Sequence, residues 1–114
     1  MSDCLFCGII DGKVKANIVY QDDFIVAFKD IAPKAPVHIL IIPRKHLVSV
    51  SNIAEQDHGL IGQIFQVAAR LAREQGIAGS GFRVVVNSGA DAGQSVFHLH
   101  YHLLGGRQMS WPPG

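Results

Sequence analysis

The sequence predicts an α+β domain on a mainly antiparallel sheet. Short apolar, β-branched or alternating runs recur at five places, a single long stretch carries a helical stripe, and most links between strands are of hairpin length. With 114 residues and 12.3 kDa there is room for one core, so residues 1–114 form a single domain.

Asp3 to Ile10 reads as a short helix, because Leu5, Phe6, Ile9 and Ile10 share a face, and Gly12 ends it. Ile18 to Tyr20 and Phe24 to Lys29 read as two strands joined by the turn Gln21-Asp22-Asp23. Ile31 to Pro36 carries two prolines and is a loop or crossover. Val37 to Ile42 is almost all apolar, a central strand stopped by Pro43. Ala54 to Gln75 is the clear helix: Leu60, Ile61, Ile64, Phe65, Ala68, Leu71 and Ala72 make its stripe. Asn52 with Glu55 resembles a capping box, and Gly76 is the stop. Phe82 to Asn87 and Val96 to Leu104 are the last strands, separated by the Gly-rich turn Ser88 to Gln94.

Composition narrows the function. Ten Lys and Arg face nine Asp and Glu, a net charge of +1, which argues against binding nucleic acid through its backbone. No apolar run approaches the ~20 residues of a membrane span. Met1 to Ile10 lacks the basic start of a secretory signal, so a cytoplasmic, reducing location is expected. There, Cys4 and Cys7 are a metal half-site, a redox pair or two small buried residues.

Three of the six histidines fall within five residues. On a strand, His98, His100 and His102 share one face, about 6.6 Å apart, while Phe97, Leu99, Tyr101 and Leu103 take the other. Three imidazoles in a row point to chemistry rather than packing, either as ligands of a catalytic zinc or as a nucleophile with phosphate-holding neighbours. The small residues of Asn87 to Ser95, with their backbone N–H groups, suit a nest for phosphate oxygens. His58 falls on the polar side of the long helix, as a solvated residue.

The stretch Gly93-Gln94-Ser95-Val96-Phe97-His98-Leu99-His100-Tyr101-His102-Leu103-Leu104 resembles the signature of the histidine triad (HIT) family. Gly105 to Met109, Trp111 to Gly114, Phe28 to Pro33 and Ala35 to Pro43 resemble its Hint branch, the histidine triad nucleotide-binding proteins. The resemblance covers nearly the whole chain. It implies a homodimer in which two five-stranded sheets join into one, with the tail 105–114 near the partner. It implies hydrolysis of purine nucleoside phosphoramidates, such as adenosine 5′-phosphoramidate, to AMP and an amine, with no cofactor needed for catalysis. Residue by residue, His100 is the nucleophile that carries a nucleotidyl intermediate, and His102 and the backbone near Ser95 hold the phosphate. Asn87, Gly93, Gln94 and Ser95 line the phosphate and ribose side. Asp30 takes the ribose hydroxyls beside Ile31, and Phe6, Ile9, Phe28 and Leu40 enclose the base. His38 supports the nucleophile, and Trp111 lies near the partner's site. In zinc-binding members Cys4, Cys7, His46 and His98 are matched by a structural Cys₂His₂ set, which would make His98 a ligand and not an acid. Dinucleoside polyphosphate hydrolysis, as in a sister branch, and a non-enzymatic nucleotide-binding role are the alternatives.

Overall fold

The computed structural model describes residues 3–114, so Met1 and Ser2 lie outside it. In chain order it contains α1 (Leu5–Ile10), β1 (Ile18–Gln21), β2 (Ile25–Lys29), β3 (Val37–Pro43), α2 (His58–Glu74), β4 (Phe82–Val86) and β5 (Tyr101–Gly105), with 3₁₀ turns at Val50–Asn52, Glu55–Asp57 and Ala90–Ala92. The strands form one sheet in the order β1-β2-β3-β5-β4, each pair antiparallel. The predicted fold class therefore holds, with one long and one short helix.

Strand alternation sends side chains to two different layers. Ile25 and Ala27 of β2, Ile39 and Ile41 of β3, and Tyr101 and Leu103 of β5 pack with Ile64, Ala68, Leu71 and Ala72 of α2. On the opposite face Val26, Phe28, Leu40 and Ile42 pack with Phe6 and Ile9 of α1. β3 lies mid-sheet between β2 and β5, so both of its faces are covered and its run reads as continuously apolar.

Some boundaries moved. α2 starts at His58 rather than Ala54, because a 3₁₀ turn intervenes. Its approach is not closed by Asn52 and Glu55: Asn52 Oδ1 accepts from Ser49 Oγ (3.0 Å), while the buried Asp57 carboxylate accepts from the Ala54 N–H (2.9 Å) and Lys45 Nζ (2.6 Å). The Lys45 ammonium holds the Asp57 carboxyl below its usual range. Gly76, at φ 75°, does end the helix region as its residue type allows.

The end of β5 is shaped by two glycines. A Cβ at Gly105 would lie 2.5 Å from Ile77 Cδ1, and one at Gly106, where φ is 92°, would lie 2.9 Å from Pro36 Cβ.

Candidate active site

β5 begins at Tyr101, five residues later than the sequence pattern suggests, so only His102 of the three histidines sits within the strand. The reason lies in its neighbours. Ladder pairing on both sides stops at Tyr101, opposite Ile41 of β3 and Val86 of β4. Beyond it, Leu99 N–H donates to the Leu47 carbonyl at 2.6 Å. Alternation nonetheless survives the loss of the ladder: Leu99, Tyr101 and Leu103 enter the α2 core, and the histidines take the other face. Phe97 departs from the expected pattern. It is 54% exposed, because the chain bends there before alternation is established.

That face is not an exposed row. His98 is fully buried and His100 is 5% exposed. Backbone carbonyls only accept, so each ring's tautomer follows from its partner. His100 Nδ1–H donates to the His98 carbonyl at 2.8 Å. In the neutral ring this leaves the lone pair on Nε2. His102 is set by a longer chain. Lys34 N–H donates to His38 Nδ1 (3.0 Å), so the proton of neutral His38 is on Nε2 and is donated to His102 Nδ1 (2.9 Å). His102 must then carry its own proton on Nε2. Burial, reinforced by His100 and His38, pushes the His102 pKa down to about 4, against the pull of Asp30. At neutral pH His102 is an uncharged N–H donor. Burial likewise lowers the pKa of His38, with Asp30 opposing and its Oδ2 at 3.4 Å.

His100 and His102 border a cavity of about 360 Å³. Its apolar wall comes from α1 and the sheet: Phe6, Ile9, Phe28 and Leu40. Phe6 stands edge-on to His100, ring centroids 5.1 Å apart, and edge-on to Phe28 at 5.4 Å. Asp30, Ile31 and Ser95 lie at its rim, with Ile31 98% exposed. Nine of the residues singled out from sequence thus meet at one opening. Val14, Lys15, Ala16 and Lys29 join them without having been foreseen. Nothing in their residue types marks them: Val14, Lys15 and Ala16 of the α1–β1 link and Lys29 at the end of β2 reach the cavity only through the fold.

Other expected residues sit elsewhere. Asn87 and His38 line a second cavity, of about 330 Å³, which shares Asp30 and His102 with the first. Gln94 does not offer its side chain to a ligand. It is buried, its oxygen accepts from Gly89 N–H (2.9 Å), and its amide donates to the carbonyls of Val48 (2.7 Å) and Val96 (3.1 Å). It braces the Gly-rich turn that leads to Ser95. Gly93 supports the same turn with a left-handed backbone, φ 88°. Trp111 is 80% exposed and lies by the Arg83 guanidinium, 5.9 Å from ring centroid to Cζ. His58 is exposed, as expected.

Behind His100 lies a second group of donors. Cys4, Cys7, His46 and His98 bring one ligand atom each within 4.8 Å of one another. His98 Nε2–H donates to the Pro43 carbonyl at 2.7 Å, which turns the Nδ1 lone pair toward the group. From His98 Nδ1 the distances are 3.1 Å to His46 Nδ1, 3.5 Å to Cys4 Sγ and 3.6 Å to Cys7 Sγ, with Cys7 Sγ 3.4 Å from His46 Nδ1. A zinc tetrahedron with bonds of about 2.0 Å to nitrogen and 2.3 Å to sulfur has edges of about 3.3–3.8 Å. Donor chemistry, tautomer and spacing all fit that ion. Burial, and Cys4 beside it, raise the Cys7 pKa in the metal-free chain.

Comparison with known proteins agrees with this geometry. The family model for the HIT domain matches residues 11–109. An uncharacterised HIT-like protein of Synechocystis is 51% identical over 112 residues, covering 98% of this chain and 97% of that one. A HIT family hydrolase from Legionella pneumophila superposes with a TM-score of 0.97 at 46% identity, covering 98% of this chain and all of the other. A histidine triad nucleotide-binding protein from Candida albicans gives 0.82 at 29% identity, covering 96% and 83%. Matched over its sheet, its helices and its histidine strand, the chain belongs to the HIT domain family.

Proposed function

We propose that this chain is a nucleotide-binding hydrolase that cleaves the P–N bond of purine nucleoside 5′-phosphoramidates, releasing AMP and an amine. The observation that carries the reading is the bond from His100 Nδ1–H to the His98 carbonyl, which leaves a nucleophilic Nε2 on a residue bordering an apolar cavity of nucleoside size. The likenesses to a HIT family hydrolase and to a histidine triad nucleotide-binding protein support it.

The base packs among Phe6, Ile9, Phe28 and Leu40, and the Asp30 carboxylate accepts from the ribose hydroxyls beside Ile31. His100 Nε2 attacks phosphorus and the P–N bond breaks, leaving the electron pair on nitrogen, which takes up a proton relayed through Ser95. The His102 Nε2–H and the backbone N–H groups of the turn ending at Ser95 meet charge on the phosphate oxygens as it develops. Asn87 reaches the same phosphate from the neighbouring cavity. Water then hydrolyses the nucleotidyl-histidine, and the proton it releases replaces the one taken by the amine.

Cys4, Cys7, His46 and His98 hold a structural zinc, which supplies a cross-link and no redox chemistry. His98 therefore positions the nucleophile through its carbonyl and is not an acid. The chain works as a homodimer through the edge strand β4, whose Phe82 is 40% exposed, with the 50% exposed Phe65 of α2 edge-on to Tyr101 of the adjoining β5.

The decisive test is His100→Ala. Release of AMP from adenosine 5′-phosphoramidate falls by about 10³-fold or more while AMP still binds. Turnover that persists at the wild-type rate overturns the reading.

A further inference from the structure

Positive charge in this nearly neutral chain is concentrated at the two joined cavities. Lys15 and Lys29 border the first, Lys34 and Arg107 the second, and Asp30 is the one carboxylate at either. Four of the ten Lys and Arg are thus here with one of the nine acids. The other charges on the chain are six basic and eight acidic, so the rest of the molecule is net negative. A nucleoside phosphoramidate monoester brings a single negative charge to its phosphorus. The surplus of cations calls for a further anion.

The second cavity is where that anion fits. It lies past His102 and Asp30, which wall both cavities. A nucleotide with its base against Phe6 and its phosphorus at His100 has the wall of His102 beside the phosphate. A substituent on phosphorus that passes this wall enters the space flanked by Lys34 and Arg107. The titratable groups facing it are otherwise His38 and His102, both held toward neutrality, and Asp30. Asp30 is already engaged: Oδ1 accepts from Ala32 N–H (2.8 Å) and Oδ2 faces His38 Nε2. Arg107 is fixed in place by its Nε–H to the Lys34 carbonyl (2.9 Å) and its Nη1–H to the Gln108 carbonyl (3.1 Å), leaving Nη2 free of either bond. Lys34 Nζ, on a flexible exposed stem, touches only the Ala32 carbonyl (3.2 Å) among the described residues.

We infer that the cavity lined by Lys34 and Arg107 is a subsite for a leaving group that carries negative charge of its own, a carboxylate or a second phosphate one short linker beyond the reacting phosphorus. This rests on the hydrolase reading above and goes beyond it in naming the class of amine. Attack by His100 Nε2 still breaks only the bond between phosphorus and the leaving atom. That atom keeps the electron pair and, where it is nitrogen, takes the proton. The distal anion stays paired with Lys34 and Arg107 until the product leaves.

The test compares two probes of equal size: adenosine 5′-phosphoramidate N-linked to glycine, with a free carboxylate, and to glycinamide. The wild-type protein prefers the carboxylate by about 3-fold to 10-fold in kcat/KM at low salt, a modest ratio because both cations are exposed. The preference shrinks toward one in 0.5 M NaCl, where the screening length is about 4 Å. Lys34→Glu inverts the ratio and Lys34→Gln brings it close to one. Both probes are read on the same variant, so a general loss of turnover cancels. Equilibrium affinities of the probes, and of ADP, for the His100→Ala protein give the same ratios without chemistry, so they hold even if no phosphoramidate is hydrolysed. An ADP preference that Lys34→Glu removes, with no carboxylate preference, assigns the subsite to a second phosphate. Equal affinity for the two glycine probes, together with ADP binding that Lys34→Glu leaves unchanged, overturns the inference.

Discussion

From His98 to Leu103 one segment of chain serves two regions with opposite rules. Its odd-numbered side chains, Leu99, Tyr101 and Leu103, enter a closed apolar layer under α2. Its even-numbered ones, His98, His100 and His102, enter a layer under α1 where four of their six ring nitrogens have a named partner and Nε2 of His100 and of His102 is left for the cavity. The apolar layer asks only for apolar volume of fitting shape. The histidine layer asks for more, since each ring is held by one carbonyl or one N–H in one tautomer. Packing holds the strand in place, and hydrogen bonds then decide which nitrogen of each ring is free to act.

Breaking the apolar side alone should give the largest change in stability. Leu103→Ala removes a fully buried side chain and costs about 2–5 kcal/mol in chemical denaturation, while the AMP affinity of the protein that remains folded changes little. A matching loss of AMP affinity would show that the two layers are not separable.

Metal removal sharpens the contrast from the other side. Purified protein is expected to carry one zinc per chain by elemental analysis, and Cys4→Ser to lose it. The thermal midpoint then drops by about 10 °C, the scale for losing a ligand bound far above its dissociation constant. Metal-free wild-type protein with an unchanged midpoint would remove the cross-link from the account.

The smallest effect is acid sensitivity. His102 titrates at about 4 in the fold and near 6.5 when unfolded, so below pH 6.5 the unfolded chain takes up a proton that the folded chain refuses. The stability held above pH 6.5 is therefore lost progressively down to about pH 4 and levels off below it. In His102→Asn the decline between these pH values is shallower when stability is followed by denaturant titration. An equally steep decline would place the sensitivity in other groups.

The fold class was legible because its signals are local and redundant. β3 is a long apolar run ended by a proline, and the α2 stripe repeats over several turns. The histidine row was legible through spacing alone. The start of β5 was not, because it depends on where β3 and β4 stop offering partners, which is a property of three strands at once. Family likeness puts Gln94 among the ligand-lining residues. Its inward turn depends on the Val48 carbonyl, 46 residues away. The tautomers of His38 and His102 hang on the Lys34 backbone N–H, a group that every residue except proline has. Lys34 and Arg107 likewise meet only across 73 residues of sequence.

The glycine pair at the end of β5 has a consequence for how the molecule can be rebuilt. Ile77 on one side and Pro36 on the other leave a slot that admits bare backbone, so the direction in which residues 107–114 depart is set before the tail makes any contact of its own. The tail then adds ties of its own: Arg107 Nε–H to the Lys34 carbonyl (2.9 Å), and the Ser110 carbonyl accepting from Arg83 Nη2 (3.0 Å). A side chain at either glycine would have to push Ile77 or Pro36 aside, and the strain would reach the subsite through Arg107 and Lys34.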